Sequence, residues 1–158
     1  QAGTDATAAN SSNTPFLWDR HDPLPCATVL VAEDSLINLE VILRYLDRLG
    51  QRHAVARDGY EVIDSLKQQS FDLILMDCQM PGMDGYEATA AIRAGQAGEA
   101  NRNLPIIAVT AHVVAGEESR CFQAGMTDFV AKPIVFRELL AALRRCLVGD
   151  PHSGVKLG

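Results

Sequence analysis

Four short apolar runs in this chain each stop at a residue unsuited to a hydrophobic core. Thr28 to Ala32 runs into Glu33-Asp34, Leu73 to Met76 into Asp77, Ile106 to Val109 into Thr110, and Phe129 to Ala131 into Lys132. Apolar runs this short read as strands buried on both faces, which is the habit of parallel sheets covered by helices above and below. An unpaired carboxylate is costly to bury, so Asp77 is expected at an exposed strand end beside a charged partner.

Segments with a helical period separate the runs. Leu36, Leu39, Leu43 and Leu46 share one face of a first helix that Gly50 ends. His53 to Ala56 is a weak second strand, and Asp58-x-x-Glu61 has the spacing of a capping box opening a helix through about Gln69. Asp84-x-x-Glu87 opens a third helix that ends near Gly95 to Gly98. A weaker helix closes at Gly125, and a last one carries Phe136, Leu139, Leu140, Leu143 and Leu147 before Gly149 and Pro151 stop it. Five strands alternating with five helices predict an α/β fold with a doubly wound parallel sheet. Right-handed crossovers then bring every strand's carboxyl end to one edge, which carries Glu33, Asp34, Asp77, Thr110 and Lys132. Ligands of open α/β sheets bind at that edge.

With 158 residues and a hydrophobic fraction of 47%, the chain has enough apolar material for a single core. Residues 1–24, rich in Ala, Ser, Thr and Asn, read as a flexible linker, 25–148 as the folded domain and 149–158 as a tail. The Phe16-Leu17-Trp18 cluster is expected to dock on its own domain, with docking on a partner as the alternative. A net charge of -6 gives no basic footprint for nucleic acid. No apolar run approaches the roughly 20 residues needed to span a bilayer, and no secretion signal opens the chain, so no membrane contact is expected of this fragment, with the cytoplasmic part of a membrane-anchored parent as the alternative to a wholly cytoplasmic protein. Cys26, Cys78, Cys121 and Cys146 form no C-x-x-C pair, which argues against zinc and disulfides and for reduced thiols in the cytoplasm. An amino terminus at Gln1 rather than Met is what an excised piece or a processed terminus would show.

Three carboxylates crowded at one edge repel one another, and Lys132 supplies only one positive charge. A divalent cation answers that imbalance. An all-oxygen site with few protein ligands suits Mg²⁺, with Mn²⁺ able to substitute. Adding the Thr110 hydroxyl and the Lys132 ammonium gives the parts for phosphoryl transfer. Asp77, at the tip of the most apolar and hence most central strand, is the candidate nucleophile, and its product would be an acyl phosphate.

These residues resemble the receiver domain of two-component response regulators over roughly residues 26 to 148. Glu33-Asp34, the run from Met76 through Asp77, Gln79, Pro81, Gly82 and Asp84 to Gly85, Val109-Thr110-Ala111 and Lys132-Pro133 occur in that family's order and spacing. The resemblance implies a flavodoxin-like (βα)5 fold with strand order 2-1-3-4-5. It implies that Asp77 takes a phosphoryl group from a phosphohistidine, supplied by a histidine kinase or a histidine phosphotransfer domain. Asp34 and Asp77 would bind Mg²⁺ directly, Glu33 through water, and Gln79 through its backbone carbonyl. Thr110 and Lys132 would hold the phosphoryl oxygens, while Thr110 and Phe129 would switch the face made by the fourth helix, the fifth strand and the fifth helix. Phe129 stands where many receivers have Tyr, so a tyrosine hydroxyl's hydrogen bond is absent. The peptide before Pro133 is expected to be cis. Asn38, the Asp77-Cys78-Gln79-Met80-Pro81 wording and Thr110-Ala111-His112 look most like receivers fused to sensor histidine kinases, with a stand-alone single-domain regulator as the alternative.

Duller readings exist for each residue alone. Glu33-Asp34 and Thr110 could cap helices, Lys132 could be a solvated charge, and Cys78 and Cys121 are expected to pack. His112 could tune the access of hydrolytic water or cap the fourth helix; His21, His53 and His152 lack metal spacing and read as solvated. An Asp-nucleophile phosphohydrolase generally wants a second Asp two residues after the first, where this chain has Gln79. A nucleotide binder wants a Gly-rich phosphate loop after the first strand, where Glu33-Asp34 would repel phosphate.

Overall fold

The computed structural model describes residues 24–111 and 116–149. The Phe16-Leu17-Trp18 cluster, His21, His112, Pro151, His152 and nearly all of the expected linker and tail lie outside the described residues. Strands β1 (Thr28–Ala32), β2 (Arg52–Ala56), β3 (Leu73–Asp77), β4 (Ile106–Thr110) and β5 (Asp128–Ala131) pair in parallel, in the order β2-β1-β3-β4-β5. Helices α1 (Leu36–Arg48), α2 (Gly59–Gln68), α3 (Gly85–Arg93), α4 (Glu117–Ala124) and α5 (Phe136–Leu147) alternate with them, and a short 3-10 turn, Glu99–Asn101, precedes β4. The expected strand order holds. Strand order reverses between β1 and β3, so the crevice of this fold opens between Glu33-Asp34 and Asp77.

Side-chain alternation along each strand divides the interior into two layers. Leu30, Ile74, Met76, Ile106 and Ala108 face one layer with Val62, Ala88, Ile92 and Cys121. Val29, Val31, Leu73, Leu75, Ile107 and Val109 face the other with Leu39, Ile42, Leu46, Leu139 and Leu143. All five residues of β3 are buried, as expected for the strand at the middle of the sheet.

Local chemistry sets where the helices begin. Ser35 Oγ accepts from Asn38 N–H at 3.4 Å, and Asp58 Oδ1 from Glu61 N–H at 2.9 Å. The box at Asp84 is complete, with Asp84 Oδ1 accepting from Glu87 N–H at 2.8 Å and Glu87 Oε1 from Asp84 N–H at 3.0 Å. At Asp58 the reciprocal half differs: Glu61 Oε1 accepts from Arg57 N–H at 2.7 Å, one residue before the cap.

The expected Leu36-Leu39-Leu43-Leu46 face of α1 is corrected. The buried stripe is Leu39, Ile42 and Leu46, while Leu43 is only partly buried and Leu36 is 66% exposed. Leu36 lies in the first turn, at the carboxyl rim, before the helix has come over the sheet. His53 is not simply solvated either, since its Nε2 lies 2.8 Å from Asp47 Oδ1.

Candidate functional site

The carboxyl edge of the sheet gathers the acids. One oxygen each from Glu33, Asp34 and Asp77 lies within 4.8 Å of the others. Glu33 follows β1 and continues its ladder, its N–H donating to Ala56 O at 3.0 Å. Asp77 is the last residue of β3, and Leu73, Leu75 and Asp77 share one side of that strand. Asp77 is 2% exposed, so the expectation of an exposed position is overturned. Its charge is held by other means: Asp77 Oδ1 lies 3.1 Å from Lys132 Nζ and also accepts from Gln79 N–H at 3.1 Å. The charged partner that the sequence called for is Lys132, delivered from the far end of β5.

Glu33 is 1% exposed and holds the same ammonium more loosely, with Lys132 Nζ 3.6 Å from Glu33 Oε1. Ser35 N–H donates to Glu33 Oε2 at 3.1 Å, but Oε1 is buried with no hydrogen-bond partner. Burial, and then the neighbouring Asp77 carboxylate, push Glu33 up to about 7. A buried oxygen without a donor, among crowded carboxylates that share one ammonium, is the environment a divalent cation would complete. The cluster is thus able to hold a metal ion, and its donors are all oxygen.

Thr110 ends β4 at the same edge, where Cys78 N–H donates to Val109 O at 3.0 Å and Lys132 N–H to Thr110 O at 2.8 Å. Strand alternation puts Thr110 with Ala108 on the α4 side of the sheet, opposite to Asp77. Phe129 faces that side too; it is partly buried and meets Phe122 of α4 edge to face at 6.2 Å. The Lys132-Pro133 peptide is cis, as expected. Cys78 and Cys121 are buried, as expected of packing residues, and burial pushes the Cys78 thiol up to about 12. Gly85 opens α3 against the acceptor strand: a Cβ there would collide with the Asp77 carbonyl oxygen, so no larger residue fits.

The site contains one residue that sequence reasoning passed over. The tip of β2 also ends in a charge, Arg57, whose Nη2 donates to Asp34 O at 3.4 Å. The signal was available, because Arg57 directly follows the expected end of the second strand at Ala56, but only the four more apolar runs drew attention to the residue at their tips.

Residues 29–144 match the model of the response regulator receiver domain. The chain belongs to the response regulator receiver family. It is a receiver, the accepting module of a two-component phosphorelay. The receiver is 43% identical over 111 residues to the sensor protein GacS of Pseudomonas syringae pv. syringae, covering 70% of this chain and 12% of that protein. It is 38% identical over 128 residues to the histidine-protein kinase BarA of Escherichia coli, covering 81% of this chain and 13% of that protein. The chain therefore spans about an eighth of the length of these curated relatives. Among solved structures, the receiver domain of the sensor histidine kinase PA1611 from Pseudomonas aeruginosa holds a magnesium ion in its active-site cleft. It is 41% identical, with a TM-score of 0.70 over 78% of this chain and 98% of that one. The receiver of Ssk1, solved with the Saccharomyces cerevisiae histidine phosphotransfer protein Ypd1, is 25% identical, with a TM-score of 0.71 over 78% of this chain and 90% of that one.

Proposed function

We propose that Asp77 is the phosphoacceptor of this receiver, that Glu33, Asp34, Asp77 and the Gln79 backbone carbonyl hold Mg²⁺, and that the parent protein is a hybrid sensor histidine kinase. One observation carries the assignment of Asp77: its carboxylate is buried, ionically paired to Lys132 at 3.1 Å and within 4.8 Å of two further acids. When bound, Mg²⁺ would offset the charge of the acids and of an incoming phosphoryl group.

The remaining work falls to side chains. An Asp77 oxygen forms a bond to phosphorus while the phosphorus–nitrogen bond of a phosphohistidine breaks, and that bond's electron pair leaves on the imidazole nitrogen. Oδ1 is already fixed by Lys132 and Gln79 N–H, which orients the carboxylate before the donor arrives. Lys132 and Thr110 then hold phosphoryl oxygens, and Thr110 and Phe129, on the same side of the sheet, pass the change to the face of α4, β5 and α5. Leu36 and Ile37, 66% and 78% exposed beside Asp34, provide an apolar rim on which a helical, histidine-bearing partner docks. The free thiols of Cys26, Cys78 and Cys121 favour a cytoplasmic setting.

Acetyl phosphate with Mg²⁺ is expected to phosphorylate the wild type and leave Asp77→Asn unmodified. Acid-labile phosphate mapped to another residue would refute the assignment.

A further inference from the structure

We propose that Tyr86, Glu117 and Arg120 form a latch between α3 and α4 that holds α4 in place and restrains the response to phosphorylation. The proposal rests on the reading of Asp77 as acceptor and of the α4 side of the sheet as the responding face.

Tyr86 is rigidly placed relative to Asp77. It follows Gly85, whose N–H donates to Cys78 O at 3.2 Å and whose Cα packs against the Asp77 backbone. From there its hydroxyl donates to the Glu117 carboxylate, in the first turn of α4. Arg120, three residues further along α4, sets its guanidinium 4.0 Å from the centre of the Tyr86 ring. Residues three apart share a helix face, so α4 grips the ring by its hydroxyl and by its π-face at once. The Cys78 side chain, next in sequence to Asp77, is buried in the same cluster as Cys121 of α4, and Tyr86 packs against that cluster.

The rest of α4 is lightly held. It has eight residues, one of them buried, Cys121, and its N-cap Gly116 offers no side-chain hydrogen bond. A short helix without a side-chain cap and with little buried surface depends on its packing against neighbours, which among the described residues includes Cys121 in the core, Tyr86 of α3 and, through Phe122, Phe129 of β5. Any response that shifts α4 against α3 must first give up the bond from Tyr86 to Glu117. The latch therefore favours the arrangement described here over the shifted one, and releasing it should make the phosphorylated form easier to reach.

The test titrates the protein with beryllofluoride and Mg²⁺ and follows urea unfolding in parallel. Tyr86→Phe keeps the ring under Arg120 and removes only the hydroxyl; Glu117→Ala removes the acceptor. Each is expected to bind beryllofluoride about three- to tenfold more tightly, the range set by one net hydrogen bond, while unfolding at slightly lower urea. The double variant should match either single one, because both delete the same bond. A purely structural role would move the two readouts together, with weaker binding following lower stability, and that result overturns the latch. Equal affinities with the wild type binding normally would overturn the latch alone, whereas failure of the wild type to bind would overturn the reading of Asp77 and the latch with it.

Discussion

Lys132 Nζ lies 3.1 Å from Asp77 Oδ1, which ties the tip of β5 to the tip of β3 across the intervening β4. The same ammonium is 3.6 Å from Glu33 Oε1, so one lysine serves two buried acids. Its removal should leave the acids more repulsive and their oxygens still in place. We expect Lys132→Ala to keep or raise Mg²⁺ affinity while slowing phosphoryl transfer about 100-fold or more, the scale of losing one preorganised electrostatic partner. Metal titration and acetyl phosphate kinetics on the same variant separate the two effects; a loss of Mg²⁺ affinity with unchanged transfer would contradict the role.

Glu33 gives the site a pH dependence with a definite sign. Burial and the Asp77 charge raise it from an ordinary value of 4.5 to about 7, so between these limits the metal-free fold binds a proton that the unfolded chain has released. The stabilisation is complete below about 4.5 and disappears as pH rises through about 7. In chelator, the contribution of Glu33 to stability should thus fall from pH 5 to pH 8, and Glu33→Gln should flatten that part of the profile. Mg²⁺ competes with the proton, so its affinity should climb over the same interval. Urea midpoints at several pH values, with and without the ion, check both slopes.

What could be read in the sequence follows from the range of each interaction. The capping box at Asp84 and Glu87 lies within three residues and was legible in full. Strand tips were legible because apolar runs end abruptly at Glu33, Asp77, Thr110 and Lys132. The burial of Asp77 was not, because its pairing with Lys132 joins residues 55 apart and depends on the strand order. Nor was the start of β5 at Asp128, an acid that enters a buried strand only because Arg145 of α5 neutralises it. The bond from Tyr86 to Glu117 spans 31 residues and leaves no local pattern.

The exposed pair at the start of α1 separates two kinds of phosphodonor. Ile37 is 78% exposed in the first turn of α1, three residues after Asp34 of the acid cluster. If a protein donor rests its apolar face there, Ile37→Asp should weaken transfer from a histidine phosphotransfer protein about tenfold or more, the size of a single interface anchor. Acetyl phosphate has no such face and should phosphorylate the variant at the wild-type rate. Equal losses with both donors would place Ile37 in the chemistry instead of the docking rim.

Arg145 holds the edge strand of the sheet to its last helix. Its Nε lies 2.6 Å from Asp128 Oδ2 and its Nη2 3.1 Å from Oδ1, a two-point contact with an acid that is 7% exposed. Asp128 Oδ1 also accepts from Phe129 N–H at 2.8 Å, so the pair fixes the backbone next to the aromatic ring of the responding face. Removing the guanidinium leaves a nearly buried carboxylate without its cation, and the partial exposure of Arg145 moderates the cost. We expect Arg145→Met to destabilise the receiver by about 2–3 kcal/mol, below the full penalty of breaking a wholly buried pair. Asp128→Asn/Arg145→Met should recover part of that loss, because no buried charge is then left unpaired. Neither variant touches Asp77, so phosphorylation by acetyl phosphate should persist in both at a temperature where they are folded. Urea denaturation of the two variants against the wild type measures the stability terms, and a single variant as stable as the wild type would show that the pair contributes nothing to holding β5.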